Sequence, residues 1–202
     1  MDMFDLDKIF KNKKPGFIGM KNTVYSIVVP VIHINNEQHL IFQVRNKNLK
    51  AQPGEVSFPG GQVEDGESPL DAAIREFSEE MCCSPDKLRI INKLDTYMAA
   101  AKGIIHCFLA EVDKDFRLDI KNDEVERLFT VPISYFLKNE PLVLNNKINI
   151  NPGDDFPFDE MNIPRSYYWG SFTYPVSFYK IGETVIWGIT ANIVNSFSKK
   201  LI

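Results

Sequence analysis

GQVEDGESPLDAAIREFSEEMCC, residues 61–83, holds the clearest helix signal in the chain and concentrates acids on one side of it. Ser68 stands at a plausible N-cap, Pro69 at the first helical position and Asp71 three residues after the cap, while Pro85 ends the pattern. A helix is predicted over Ser68–Met81. At about 100° per residue, Glu76, Glu79 and Glu80 fall within an arc of about 100°. Leu70, Ala73, Ile74, Phe77 and Met81 gather about 130° away and can be buried. Three carboxylates so close repel one another unless a cation lies between them. Hard oxygen ligands at this density suit Mg²⁺ or Mn²⁺. A merely solvated acidic face is the commoner fate of such a helix. The Gly60-Gly61 corner just upstream, and the spacing that lets Arg75 reach back to Glu67, favour the metal reading.

Working outward, Thr23–Ile34 is β-branched and almost wholly apolar, which predicts a buried strand. Asn35-Asn36 marks a turn and His39–Arg45 a hairpin partner. After a basic loop, a short strand leads into Pro59-Gly60-Gly61. Leu88–Met98 and Ile104–Val112 read as strands joined near Gly103, and Glu124–Leu137 as partly helical, interrupted by Pro132. Ser177–Gly182 and Glu183–Trp187 form a hairpin feeding a C-terminal helix from about Ile189. An N-terminal arm, residues 1–20, carries a short helix over Asp5–Asn12. Residues 145–168 show no clean period and read as a long loop or insertion. Nothing demands a second domain, so residues 1–202 are expected to form one, of α/β or α+β class with a mixed sheet.

A hydrophobic content of 44% is enough for a sizeable core, and a net charge of −4 provides no global field to attract nucleic acid or an anionic membrane. A phosphate ligand must then be held locally, by side-chain cations, metal or backbone amides. The three cysteines, Cys82, Cys83 and Cys107, lack the spacing of a disulfide framework or a zinc site. No stretch approaches the roughly 18–20 apolar residues of a membrane helix. The terminal SKKLI is not a Ser-Lys-Leu address. A cytoplasmic protein, monomer or homodimer, with a small-molecule nucleotide substrate is expected. His33, His39 and His106 occur singly and read as structural.

Glu67 follows Gly61 after five residues, and Arg75-Glu76-Phe77-Ser78-Glu79-Glu80 follows after seven more. This resembles the Nudix box, G-x5-E-x7-R-E-U-x-E-E-x-G-U, where U is aliphatic. The resemblance implies a Nudix-type α/β/α sandwich and metal-dependent hydrolysis of a nucleoside diphosphate linkage. Glu76, Glu79 and Glu80 would hold the metal, helped by a carbonyl near Gly60 or Gly61, and Arg75 would orient them. The general base would be Glu79 first, with Glu80 or a remote loop carboxylate such as Glu124 as alternatives. Cys82 replaces the box glycine, where a positive φ is expected, and Phe77 replaces an aliphatic residue.

Arg45–Gly61, RNKNLKAQPGEVSFPGG, resembles the coenzyme A pyrophosphatase signature LLTxR[SA]x3Rx3Gx3FPGG. Arg45, Gly54 and Phe58-Pro59-Gly60-Gly61 match; Gln43, Asn46 and Lys50 depart from it. Ile186–Val194 is similar to the IWGxTA segment of the same branch. This implies coenzyme A or a derivative as substrate, bound by Arg45, Lys47, Lys50, Phe58, Gly60 and Gly61. A solvated basic loop is the plainer reading of Arg45, Lys47 and Lys50, and Lys50 lacks the bidentate fork of arginine. A broader ADP-ribose or dinucleotide pyrophosphatase is the first alternative, a non-catalytic nucleotide-binding module the second. Trp187 and Gly188 read as packing at a strand-to-helix junction.

Overall fold

The computed structural model describes Lys11 and residues 23–99 and 103–202. The expected helix over Asp5–Asn12 otherwise lies outside the described residues. The central strand is β1, Val24–Ile34, joined to β2, Glu37–Arg45, by Asn35 and Asn36 with φ of 49° and 63°. A two-residue hairpin turn of this kind needs positive φ at both positions, and asparagine tolerates it better than most residues. Two short strands follow: β3, Val56–Ser57, pairs with β2, and β4, Gly60–Gln62, pairs antiparallel with β1.

Helix α1, Pro69–Glu80, lies within two residues of the predicted span and starts at Ser68, whose side chain accepts from the Asp71 amide. Beyond it come β5, Leu88–Lys93, β6, Tyr97–Ala99, and β7, Gly103–Val112. The strand expected over Leu88–Met98 is therefore broken, and residues 94–96 link two strands that each pair with β7. The pairing of β1 with β7 is parallel, from Val24 opposite Ile104 to Val31 opposite Glu111. Parallel neighbours need a long crossover, and α1 lies within it.

Val125–Pro132 forms strand β8, where partial helix was expected; only Ile133–Lys138, after Pro132, is helical (α2). The strand wins because it completes the sheet beside β2, from His39–Pro132 to Arg45–Val125. A second correction concerns residues 145–168. Leu142–Asn149 forms strand β9, paired along its length with β10, Ser171–Ile181, and β10 pairs onward with β11, Thr184–Trp187. Asparagine and lysine have poor strand propensity, and β9 is almost wholly exposed, so neither composition nor alternation marks it. Its pairing with β10 decides the matter. The loop between them packs on itself, with the rings of Phe156 and Trp169 4.8 Å apart.

Helix α3, Gly188–Lys199, completes the fold. Val28 and Ile32 of β1 pack with Ala73, Phe77 and Met81 beside α1, whereas Val29 and Val31 face Phe136 of α2 and Val194 and Phe197 of α3. Helices thus cover both faces of one mixed sheet, an α/β/α sandwich, and a strand buried on both sides reads as near-continuous apolar sequence. Among the described residues no helix is long and apolar enough to cross a membrane.

Cys82 has φ of 48° and occupies the left-handed position that ends α1. Its amide donates to the Glu79 carbonyl at 3.3 Å, and the Cys83 amide reaches Ser78 at 3.1 Å. That is the Schellman closure normally built on glycine. Cys82→Val is expected to lower unfolding free energy by about 1–2 kcal/mol, because a β-branched side chain tolerates this conformation worst, while Cys82→Gly stays within about 0.5 kcal/mol of the native chain. Urea denaturation checks both. A larger loss in the glycine variant would show that the thiol, not the backbone, sets stability here.

Candidate active site

The corner between β3 and α1 builds the site. Gly60 has φ of 152°, and a Cβ there would lie 2.3 Å from the Ser26 carbonyl oxygen and 2.6 Å from the Ile27 Cα. Only glycine lets this backbone pass so close to β1. At Gly61 a Cβ would lie 2.2 Å from the Glu76 carboxyl carbon, so that carboxylate occupies the space a side chain would take. The corner is therefore shaped to bring carboxylates of α1 against backbone. Ser26, fully buried on β1, donates from its hydroxyl to the Pro69 carbonyl at 2.5 Å and pins the start of α1 to the sheet.

The three glutamates occupy different environments. Glu80 is 3% exposed. One of its oxygens accepts the Gly60 amide at 2.8 Å and the Gln43 side-chain amide at 3.1 Å. Burial pushes its carboxyl up to about 7, against the pull of those two donors. Glu76 is partly buried and also raised, chiefly by desolvation, although Arg75 pulls it down. The Glu79 side chain is 63% exposed and approaches Arg75 at 3.4 Å. Arg75 forks onto Glu67 at 2.9 and 3.1 Å, reaches Glu76 at 2.8 Å and donates to the Gln62 carbonyl at 3.2 Å. The reach from Arg75 back to Glu67 is as the spacing predicts. Its hydrogen bonds to Glu67 and Glu76 raise the Arg75 guanidinium above its ordinary value and hold it charged.

A cleft of about 800 Å³ opens beside this corner. Of the residues singled out from sequence, Arg45, Phe58, Gly60, Gly61, Glu76, Glu80 and Glu124 line it. Arg75 and Glu79 stand beside it without lining it, and Lys47 and Lys50 are exposed on the same loop, outside the lining. Trp187 stacks on Phe178 with ring centres 6.4 Å apart, as junction packing would require, yet it also forms cleft wall. Three side chains escape the sequence reading. Tyr25 and Tyr174 line the cleft, and Gln43, 1% exposed, reaches Glu80. Gln43 is visible in the sequence only as a departure from the branch signature; the tyrosines carry no local signal.

The donor set fits a hard divalent cation. Glu80 is buried with no ion-pair partner among the described residues, Glu76 shares the Arg75 guanidinium with Glu67, and the Gln43 carbonyl oxygen is buried with no hydrogen-bond partner. Among the described residues, however, no three histidine, cysteine, aspartate or glutamate side chains converge closely enough to hold an ion. Glu79 and Glu76 are instead drawn to Arg75.

Comparison with known proteins bears on the family and the fold. Peroxisomal coenzyme A diphosphatase NUDT7 of Mus musculus is 31% identical over 138 residues, 68% of this chain and 58% of that protein. Peroxisomal coenzyme A diphosphatase ndx-8 of Caenorhabditis elegans is 32% identical over 117 residues, 55% of this chain and 50% of that one. The matches thus span between half and three-fifths of these relatives' length. Among solved structures, a MutT/nudix family protein from Enterococcus faecalis superposes with a TM-score of 0.53 at 12% identity, over 97% of this chain and 68% of that one, a likeness of fold alone. The NUDIX domain pattern matches residues 24–147, from the central strand through the glycine corner, the carboxylate helix and into β9. By that match, over more than half of its length, the chain belongs to the Nudix family.

Proposed function

We propose that the chain is a Mg²⁺- or Mn²⁺-dependent diphosphatase that cleaves coenzyme A or its derivatives to 3′,5′-ADP and 4′-phosphopantetheine. The observation that carries this is the cleft itself: Arg45, Phe58, Gly60 and Gly61 line the same cavity as Glu76, Glu80 and Glu124. Two relatives bear the name coenzyme A diphosphatase, which supports the substrate.

In this reading water adds to one phosphorus, the bridging P–O bond breaks, and the water proton passes to a carboxylate. Glu76 and Glu80, with Glu79, would hold the divalent ion, which when bound would supply neutralising charge to the phosphoryl group and lower the pKa of water there. Arg75 holds Glu76 in place and orients the helix toward Gly61. Glu124 takes the water proton; it lines the cleft, whereas Glu79 faces Arg75 at its edge. Arg45 offers its guanidinium to a phosphate oxygen, and Lys47 and Lys50 flank the same loop, where an additional 3′-phosphate would find positive charge. Because Lys50 lies outside the cleft lining, a broader dinucleotide specificity is the reading to set against this one.

Incubation of the purified protein with coenzyme A and Mn²⁺ is expected to release 3′,5′-ADP and 4′-phosphopantetheine, resolved by chromatography. Intact coenzyme A beside rapid ADP-ribose turnover would overturn the substrate. Glu79→Gln is expected to abolish hydrolysis and retain the fold, and Mn²⁺ to raise the melting temperature of the native chain but hardly that of the variant. Gly61→Ala should leave the fold intact, because only the mobile end of Glu76 must move, and cost about 10–100-fold in activity. Gly60→Ala collides with backbone and is expected to cost about 1–3 kcal/mol of stability.

A further inference from the structure

Asn122, just before β8, uses every polar group it has to join three parts of the site. Its side-chain oxygen accepts the amides of Glu124 at 2.9 Å and Val125 at 2.7 Å. Its own amide donates to the Val125 carbonyl at 2.9 Å, which closes the turn. The side-chain nitrogen faces the other way and donates to the Glu80 carbonyl at 2.9 Å and to the Cys82 sulfur at 3.3 Å, at the end of α1. Asn46, 8% exposed, completes the arrangement from the substrate loop. Its side-chain nitrogen donates to the Asn122 carbonyl at 2.9 Å, and its backbone amide to the Glu124 carbonyl at 2.8 Å. Both peptide groups of Glu124 are thus fixed by these two asparagines.

The pairing of β2 with β8 slips here. Val44 faces Arg127 but Arg45 faces Val125, so Glu126 is an extra residue. A bulge beside a site changes the direction of neighbouring side chains, and Arg45 at the slip and Glu124 just before it both line the cleft. Glu124 is close enough to Glu76 and Glu80 that its charge disfavours ionisation of both. An exposed carboxylate repelled by two others would swing toward solvent unless its backbone were held. Asn46 and Cys82 are also two of the positions at which the chain departs from the patterns it resembles. Both contact Asn122, Cys82 at its side-chain nitrogen and Asn46 at its backbone carbonyl.

We propose that Asn122 is a positioning residue that locks Glu124 to the end of the carboxylate helix, with Asn46 as its support; this rests on the role given to Glu124 above. An asparagine suits the task because it accepts toward the Glu124 turn and donates toward the helix carbonyl at the same time. Loss of the clamp moves Glu124 without removing a group that touches substrate, so turnover falls while substrate affinity holds.

Kinetics of Asn122→Ala, Glu124→Gln and the double variant test this, on whichever of coenzyme A, ADP-ribose or a diadenosine polyphosphate the native chain hydrolyses fastest. Asn122→Ala is expected to lower kcat about 10–100-fold with KM within about 2-fold. In the Glu124→Gln background the same change should alter kcat by less than about 2-fold, because both substitutions disable one function. Hydrogen exchange at the Glu124 and Val125 amides should quicken in Asn122→Ala. Asn46→Ala, which leaves every Asn122 side-chain bond in place, should give a smaller loss of kcat with the same dependence on Glu124, and stands in if Asn122→Ala does not fold. Losses that multiply in the double variant would overturn the positioning role alone; an unimpaired Glu124→Gln would overturn it together with the proton-accepting role of Glu124, while turnover by the native chain would leave the diphosphatase reading standing. A native chain inactive on all three substrates would overturn the function proposed above and this role with it.

Discussion

One hydrogen bond, from the Gly60 amide to the buried Glu80 carboxylate, joins the two halves of the site. It is 2.8 Å long, and a second donor from Gln43 shares the same oxygen. A carboxylate this buried is costly unless hydrogen bonds or a counter-charge compensate. The backbone corner supplies the first donor because Gly60 passes β1 too closely for any side chain. Helix α1 is therefore held at both ends: by the Ser26 hydroxyl at Pro69 and by Gly60 at Glu80. Between them its apolar side packs on Val28 and Ile32. The positions of Glu76 and Glu79 on the same helix follow from that anchoring.

The sequence made α1, the β1–β2 hairpin and the C-terminal helix legible because each rests on local chemistry. Ser68 and Pro69 mark a start, Asn35 and Asn36 force a turn, and the apolar side of α1 repeats at helical spacing. Strands β8 and β9 were not legible, since long-range pairing decides both. The site shows the same division. A helical wheel places Glu76, Glu79 and Glu80 on one side and treats them as equals. The sheet then separates them: Glu80 turns inward to Gly60, Glu76 nests at Gly61, and Glu79 stays at the rim with Arg75. Periodicity gives direction around an axis; only the neighbouring layer assigns depth. Gln43 and Asn122 were invisible as partners for a related reason, because the amide of each bridges to α1 from a segment tens of residues away.

Glycine at the end of the Nudix-box helix would adopt the Cys82 conformation without a penalty. Here the turn is closed by backbone bonds and by Asn122, which supplies a donor for the Glu80 carbonyl and for the Cys82 sulfur. The local pattern is broken and the geometry kept, which is how a departure in sequence can leave the carboxylates undisturbed.

The parallel pairing of β1 with β7 has a kinetic consequence. Val24 meets Ile104 and Val31 meets Glu111, partners some eighty residues apart along the chain. Contacts of such separation carry a loop-closure penalty before they give any return, and chains rich in them fold slowly. Helix α1 lies within that loop, and the Phe108 and Ala110 side chains of β7 share its apolar cluster. The depth and orientation of the carboxylate helix wait for the crossover to close. In a nascent chain the glycine corner is assembled only once the chain has been made past Glu111, so a chain that stops at α1 carries the motif without the cleft.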